Sequence, residues 1–287
     1  MTWVEPLRRR RVSAYVAGPG LDDALDVGRR LAAGGLACVV GYTAPADEPP
    51  RRVADTHLAA LERLAAEGID GEVSVKLSAL RFDPGLLAEL NTAAAAARAP
   101  RALHVDALGP ETVDDTWALL EGLEDRDPVG TTLPGRWRRS VDDARRAVDL
   151  GLRVRVVKGQ WADTAEPDVD PADGMLRVVD RLRDSTRRVA VATHDVPLLA
   201  EALSRLRTAE VPCAVELFLG LPFAAPLRLA RRLGVPVRVY VPYGAGGAPY
   251  DAAALTRNPA ATWWLLQDVI LGKEKTWRSI SRAHLSR

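Results

Sequence analysis

Hydrophobic positions along this chain fall into two patterns that take turns. Short runs rich in Val, Leu and Ala occur at 37–41, 72–77, 102–106, 129–133, 153–157, 189–193, 213–217 and 237–241. Between them lie longer Ala/Leu/Arg stretches with apolar residues at helical spacing, near 53–67, 84–98, 110–123, 140–150, 172–185, 196–206, 222–233 and 260–271. A further stretch of this kind, 21–33, precedes the first run. Strands alternating with helices predict a parallel sheet. The runs read as apolar on both faces, as a covered parallel sheet requires.

Element ends agree with this register. Pro84, Pro110 and Pro222 stand where a first helical turn tolerates a missing N–H. Ser140 followed by Asp143 reads as an N-cap with an acid in the first turn. Gly68, Gly151 and Gly234 stand where helices end. A doubly wound dinucleotide fold would place G-x-G-x-x-G after an early strand. The first run is instead followed by Gly41-Tyr42-Thr43-Ala44-Pro45. Eight regular units without a phosphate-binding turn predict a (β/α)8 TIM-type barrel with an additional N-terminal helix, as one domain over 1–287. The longest irregular stretch, 162–174, follows the fifth strand and so belongs to the face where barrels build active sites.

Composition narrows the function classes. With 287 residues, 47% hydrophobic and 27% charged, the chain is globular. A net charge of +1 gives no field for nucleic acid or anionic membrane. Two cysteines exclude a disulfide framework and cysteine-based metal sites, and no other metal motif is present. No apolar run is long enough for a membrane span, and the basic N-terminus lacks the apolar segment of a secretory signal, so the expected location is cytoplasmic. Of 39 basic residues only four are Lys, and two of these, Lys76 and Lys158, sit in apolar runs where charge is costly.

Polar residues at the C-terminal ends of barrel strands are candidates for chemistry. Reading those ends gives Lys76, Ser78, Asp106, Arg155, Lys158, Trp161, Thr193, His194, Glu216, Tyr240 and Tyr243. The cations suit a phosphate or carboxylate, and the aromatics suit a flat ring. No G-x-S-x-G elbow and no H-E-x-x-H helix is present. Each residue also has a plain structural reading. Lys76 and Asp106 pair as a buried ion pair, His194 caps a helix or bonds a carbonyl, and Glu216 neutralises a nearby Arg.

The same residues resemble the motifs of the flavin-dependent proline dehydrogenases, which are (β/α)8 barrels. EVSVKLSAL at 72–80 is similar to that family's S-V-K-L-S-x-L, and RVRVVKGQW at 153–161 to R-L-V-K-G-A-Y. VATHD at 191–195 resembles A-T-H-N, Glu216 stands at the Glu of E-F-Q, and VRVYVPYG at 237–244 resembles R-V-Y-V-P-Y-G. The resemblance implies a small imino acid or amine as substrate, FAD as cofactor, and a quinone or oxygen as electron acceptor. It implies that Arg155, Lys158, Gly159, Trp161, Thr193, His194 and Glu216 hold the FAD, with Arg155 and Lys158 at its phosphates. Lys76, Asp106 and Tyr240 would be catalytic. Lys76, Tyr240, Tyr250 and Arg257 would contact substrate.

The departures from the family pattern bear on substrate. Where the family has Y-x-x-R-R-L-x-E-x-P, with two arginines for the proline carboxylate, this chain has YDAAALTRNP at 250–259. Ala253 and Ala254 replace the arginines and Arg257 replaces the Glu. Pro134 and Phe218 replace two Gln residues, and Gln160 and Trp161 replace Ala-Tyr. A carboxylate at that place loses two charge-assisted partners. The resemblance therefore implies oxidation of a modified imino acid or related amine in preference to proline. The alternative is a barrel that has lost flavin and runs lyase, hydrolase or isomerase chemistry, with Lys76 or Lys158 as base or Schiff-base lysine. The segment 262–279, rich in Trp, reads as a last helix packed over the barrel.

Overall fold

The computed structural model describes residues 15–97, 102–163 and 165–245. Helix α1 (Leu21–Ala33) leads into β1 (Ala37–Tyr42), α2 (Pro50–Ala66), β2 (Gly71–Val75), α3 (Pro84–Ala96) and β3 (Leu103–Val105). Then come α4 (Val113–Gly122), β4 (Val129–Pro134), α5 (Ser140–Asp149), β5 (Arg153–Val157) and α6 (Pro171–Arg181). The described chain ends with β6 (Val189–Ala192), α7 (Val196–Thr208), β7 (Cys213–Phe218), α8 (Ala224–Leu233) and β8 (Val237–Tyr243). The eight strands pair in parallel in chain order, and β8 closes on β1. This is the (β/α)8 barrel with its extra leading helix. The expected helix at 260–271, the segment 262–279, and Tyr250, Ala253, Ala254 and Arg257 lie outside the described residues.

The apolar core lies between barrel wall and helices. Val40, Val73, Val105, Val156, Val191 and Val239 on the strands are fully covered there. The lumen departs from the expectation of strands apolar on both faces. It carries Glu72, Ser74, His104, Thr132, Arg155, Glu216 and Arg238, all buried. A barrel interior is ordinarily filled by branched aliphatic side chains. Here charged and polar side chains occupy much of it, which apolar counting along a strand does not reveal.

Several boundaries also differ from the sequence reading. The strand at 72–77 ends at Val75, because the chain turns at Lys76 into a 3-10 turn at Leu77–Leu80. Pro110 opens a 3-10 turn (Pro110–Thr112) ahead of α4. Pro222 stays outside α8, where its carbonyl bonds His194. Ser140 is the first residue of α5, not its cap, since Arg139 before it is already helical; the buried Ser140 hydroxyl finds no hydrogen-bond partner among the described residues. The irregular stretch after β5 stops at Asp170. Its carboxylate accepts from the N–H groups of Ala172 and Asp173 and starts α6 at Pro171. Gly68, Gly151 and Gly234 end their helices in the left-handed conformation, as the pattern required.

Candidate active site

Five of the predicted residues meet at the C-terminal mouth of the barrel, around Asp106. This carboxylate stands one residue past β3 and is still tied to β2, because its N–H donates to the Val75 carbonyl. Its Oδ1 accepts from Ser74 Oγ at 2.6 Å and from Arg155 Nη1 at 2.7 Å. Its Oδ2 accepts from the Tyr240 hydroxyl at 3.0 Å and lies 3.4 Å from Lys76 Nζ. Strand alternation produces this convergence. Ser74 on β2 and Lys76, one residue past its end, are two apart in sequence, and Arg155 and Tyr240 reach in from β5 and β8.

Arg155 is only 4% exposed and is shared between two carboxylates. Its Nε lies 2.6 Å from Glu216 Oε1, an ion pair lacking the alignment of a hydrogen bond. Its guanidinium also lies 5.3 Å from the ring centre of Tyr240. Its buried Nη2 has no hydrogen-bond partner among the described residues. The Tyr240 ring stacks on Phe218, its register partner on β7, at 5.4 Å and 19°. Phe218 thus occupies the barrel mouth where the family pattern has a Gln.

The electrostatics follow from burial set against partners. Burial alone would lower the Lys76 pKa, but Tyr240 and Asp106 outweigh it and hold the amine above its ordinary value. Burial would raise the Asp106 pKa, and Lys76 and Arg155 reverse this. Burial pushes Glu216 up, and Arg155 only partly offsets it. Tyr240 is raised by burial and by Asp106, so its hydroxyl keeps its proton. At neutral pH the mouth therefore holds an ammonium, a guanidinium, an aspartate and a phenol.

The remaining predicted residues lie apart from this cluster. Lys158 is half-exposed on the rim past β5, 2.8 Å from Asp195 Oδ2. Asp195 also caps α7 through the Leu198 N–H, and its own N–H donates to Thr193 Oγ1. His194 is turned into the protein. Its Nε2 accepts from the Phe218 N–H at 2.9 Å, so its Nδ1 carries the proton and donates to the Pro222 carbonyl at 3.1 Å. Burial lowers its pKa to about 4. Gly159, at φ +98°, turns the chain after Lys158; a Cβ there would lie 2.8 Å from Cβ of Pro134. The Trp161 ring is exposed, while its carbonyl accepts from Trp137 Nε1.

Some site residues were not singled out from sequence. Ser74 could have been found by stepping two back from Lys76 along β2. Thr132 and His104 form a buried layer beneath. Thr132 donates to the Val105 carbonyl, so His104 Nε2–H donates to Thr132 Oγ1 at 3.1 Å. Gly41 on β1 has no signal in the sequence. A side chain there would overlap Tyr240, with a Cβ 2.6 Å from Cζ of the ring.

Comparison with known proteins gives a consistent likeness. The chain is 24% identical over 271 residues to "Proline dehydrogenase 1" of Bacillus subtilis (strain 168), covering 89% of each chain. It is 25% identical over 293 residues to "Proline dehydrogenase" of Deinococcus radiodurans, covering 94% of each. No protein-family model matches. Among solved structures, proline utilization A (PutA) from Bdellovibrio bacteriovorus superposes with a TM-score of 0.72 at 15% identity, over 91% of this chain and 33% of that one. PutA from Corynebacterium freiburgense superposes with a TM-score of 0.69 at 20% identity, over 97% and 33%. The chain spans about a third of the length of these PutA structures. In fold it is the same (β/α)8 barrel as theirs, and in sequence it is similar along most of its length to proline dehydrogenases.

Proposed function

We propose that this chain is a proline dehydrogenase-like, FAD-dependent oxidoreductase that oxidises the C–N bond of an imino acid or related amine. The observation that carries this reading is the cluster of Lys76, Asp106, Tyr240 and Arg155 at the barrel mouth. The likeness to proline dehydrogenases over about nine-tenths of the chain supports it.

The residues present fit a flavin at two points. Arg155, expected at the FAD phosphates, is buried between Asp106 and Glu216; its Nη2, a buried donor without a partner among the described residues, suits an acceptor atom of a flat heterocycle instead. Lys158 supplies a rim cation for a phosphate, in exchange with Asp195. His194 has both ring nitrogens taken inside the protein, so its part in this reading is to hold the Phe218 end of β7 against Pro222. FAD, when bound, supplies the acceptor for the hydride leaving the carbon beside the nitrogen. Lys76 and Tyr240 would orient the substrate from the β2 and β8 sides of the mouth. Asp106 keeps the ammonium and guanidinium in place through its four partners.

Within this reading, a substrate without a free carboxylate is favoured over proline. Ala253 and Ala254 stand at the family's arginine pair, so two charge-assisted contacts are missing from the sequence. The non-redox alternative with Lys76 as base or Schiff-base lysine needs a neutral amine there, and Tyr240 and Asp106 hold it protonated; this does not bear on the version that uses Lys158.

The test is the visible absorption spectrum of the purified protein before and after addition of FAD. A bound-flavin spectrum is expected, bleached faster by a proline ester or a simple cyclic amine than by proline. Failure to retain flavin under either condition overturns the redox reading. Equal or faster bleaching by proline overturns the substrate preference alone.

A further inference from the structure

The opposite, N-terminal end of the lumen holds a second charge cluster with a different balance. Glu72 on β2 is 2% exposed. Three arginines converge on its Oε1. Arg188 Nη2 donates to it directly, Arg238 Nη1 lies 3.3 Å away, and Arg153 Nη1 lies 3.9 Å away. Other negative groups stand outside this floor. Asp70 is half-exposed and reaches Arg238 Nη1 at 3.5 Å. Asp127 accepts from Arg153 and Arg187 through its carbonyl and pairs with Arg187 through its carboxylate.

Among the described residues, Glu72 is thus the buried carboxylate that faces three guanidinium groups, and half-exposed Asp70 shares Arg238 from the solvent side. Uncompensated buried charge is strongly unfavourable, and such groups are ordinarily paired. Among the described residues, Arg188 Nε is buried without a hydrogen-bond partner, and Arg238 Nη1 lies near Glu72 and Asp70 but is aligned with neither. The crowding is visible on Arg153. Burial lowers its pKa to about 10, and Arg188, Arg187 and Arg238 add to that against the pull of Glu72. Arg153 and Arg188 remain partly accessible at the barrel floor, which leaves a way in from solvent.

We propose that the barrel floor is a binding site for one compact inorganic anion, of the chloride or phosphate class, held between Arg153, Arg188 and Arg238. Planar guanidinium groups donate in pairs to such ions, and a bound anion offsets the positive charge that Glu72 and half-exposed Asp70 leave on the three arginines. The site is separate from the mouth cluster and independent of any flavin.

The test is thermal melting of the whole chain at constant ionic strength, with sodium gluconate replaced stepwise by chloride or by phosphate. A saturable rise in Tm of about 2–4 °C is expected with at least one of the two compact anions. In Arg188→Met that rise is expected to disappear. A Tm that is unchanged, or that follows ionic strength alone, overturns the proposal, as does a full rise in Arg188→Met. Should Arg188→Met not fold, calorimetric titration of the unaltered protein with phosphate, and the chloride NMR linewidth, decide instead. Saturable binding of either ion supports the site, and its absence for both removes it.

Discussion

Gly41 and Tyr240 face each other across the β1–β8 seam, and the glycine leaves the space that the tyrosine ring and hydroxyl fill. A Cβ at position 41 would lie 2.6 Å from Cζ of Tyr240. The hydroxyl so accommodated donates to Asp106 at 3.0 Å. Gly41→Ala is therefore expected to push Tyr240 off Asp106, at an overpacking cost of about 1–3 kcal/mol. Turnover should fall at least as far as in Tyr240→Phe, which removes the hydroxyl without a clash. Urea denaturation and flavin-bleaching rates measure the two effects. A Gly41→Ala variant with full rate, beside an impaired Tyr240→Phe, would show that the space is not what positions the ring.

Asp106 joins four donors, and its removal differs in kind from removal of one donor. Asp106→Ala leaves Lys76 without its carboxylate and Arg155 with Glu216 alone. A broken buried pair of this kind is expected to destabilise by about 3–5 kcal/mol. Ser74→Ala removes one hydrogen bond to a charged acceptor, worth about 1.5–3 kcal/mol. Equilibrium unfolding should therefore rank Asp106→Ala well below Ser74→Ala. Equal losses would mean that the cluster is held by packing and not by charge.

Lys158 and Arg155 separate cofactor retention from stability. The Lys158–Asp195 pair is half-exposed, so Lys158→Ala should change stability by no more than about 1 kcal/mol. Loss of one charge-assisted phosphate contact should weaken FAD binding roughly tenfold. Arg155→Met should lower both, because it leaves Asp106 and Glu216 facing each other without their shared cation. Titration of the apoprotein with FAD, followed by flavin fluorescence, gives the comparison. Unchanged affinity in Lys158→Ala would remove Lys158 from the phosphate site.

The architecture was legible because alternation and helix punctuation are local signals. Strand β5 and helix α1 have the bounds that the pattern predicts, and the helix-ending glycines stand where expected. Asp106 and Arg155 were legible as strand-end charges. Their sharing of one carboxylate oxygen with Ser74 was not, because it depends on register across four strands, β2 to β5. The polar lumen was hidden for the same reason. Glu72, Arg153, Arg188 and Arg238 each look like an isolated charge at a strand start until the barrel closes and brings them together. Gly41 carries information only as an absence of side chain, which has meaning once Tyr240 is seen beside it.

His194 gives a prediction about acid stability. Its Nε2 accepts from Phe218 and its Nδ1–H donates to Pro222, an arrangement that only a neutral ring can make. Burial lowers its pKa from 6.5 to about 4. The unfolded chain therefore takes up this proton first as pH falls. The stabilisation is complete above pH 6.5 and is lost progressively toward pH 4. The shift corresponds to about 3 kcal/mol across that window. Buried His57, lowered to about 3, acts in the same direction and leaves a residual slope. His194→Gln keeps one donor and one acceptor but does not titrate, so its stability should depend on pH less steeply by close to one proton between pH 6.5 and 4. Denaturant midpoints measured across that range make the comparison. Parallel curves for the two proteins would show that His194 is free to protonate in the folded state, and that the Phe218–His194–Pro222 bridge does not hold the ring neutral.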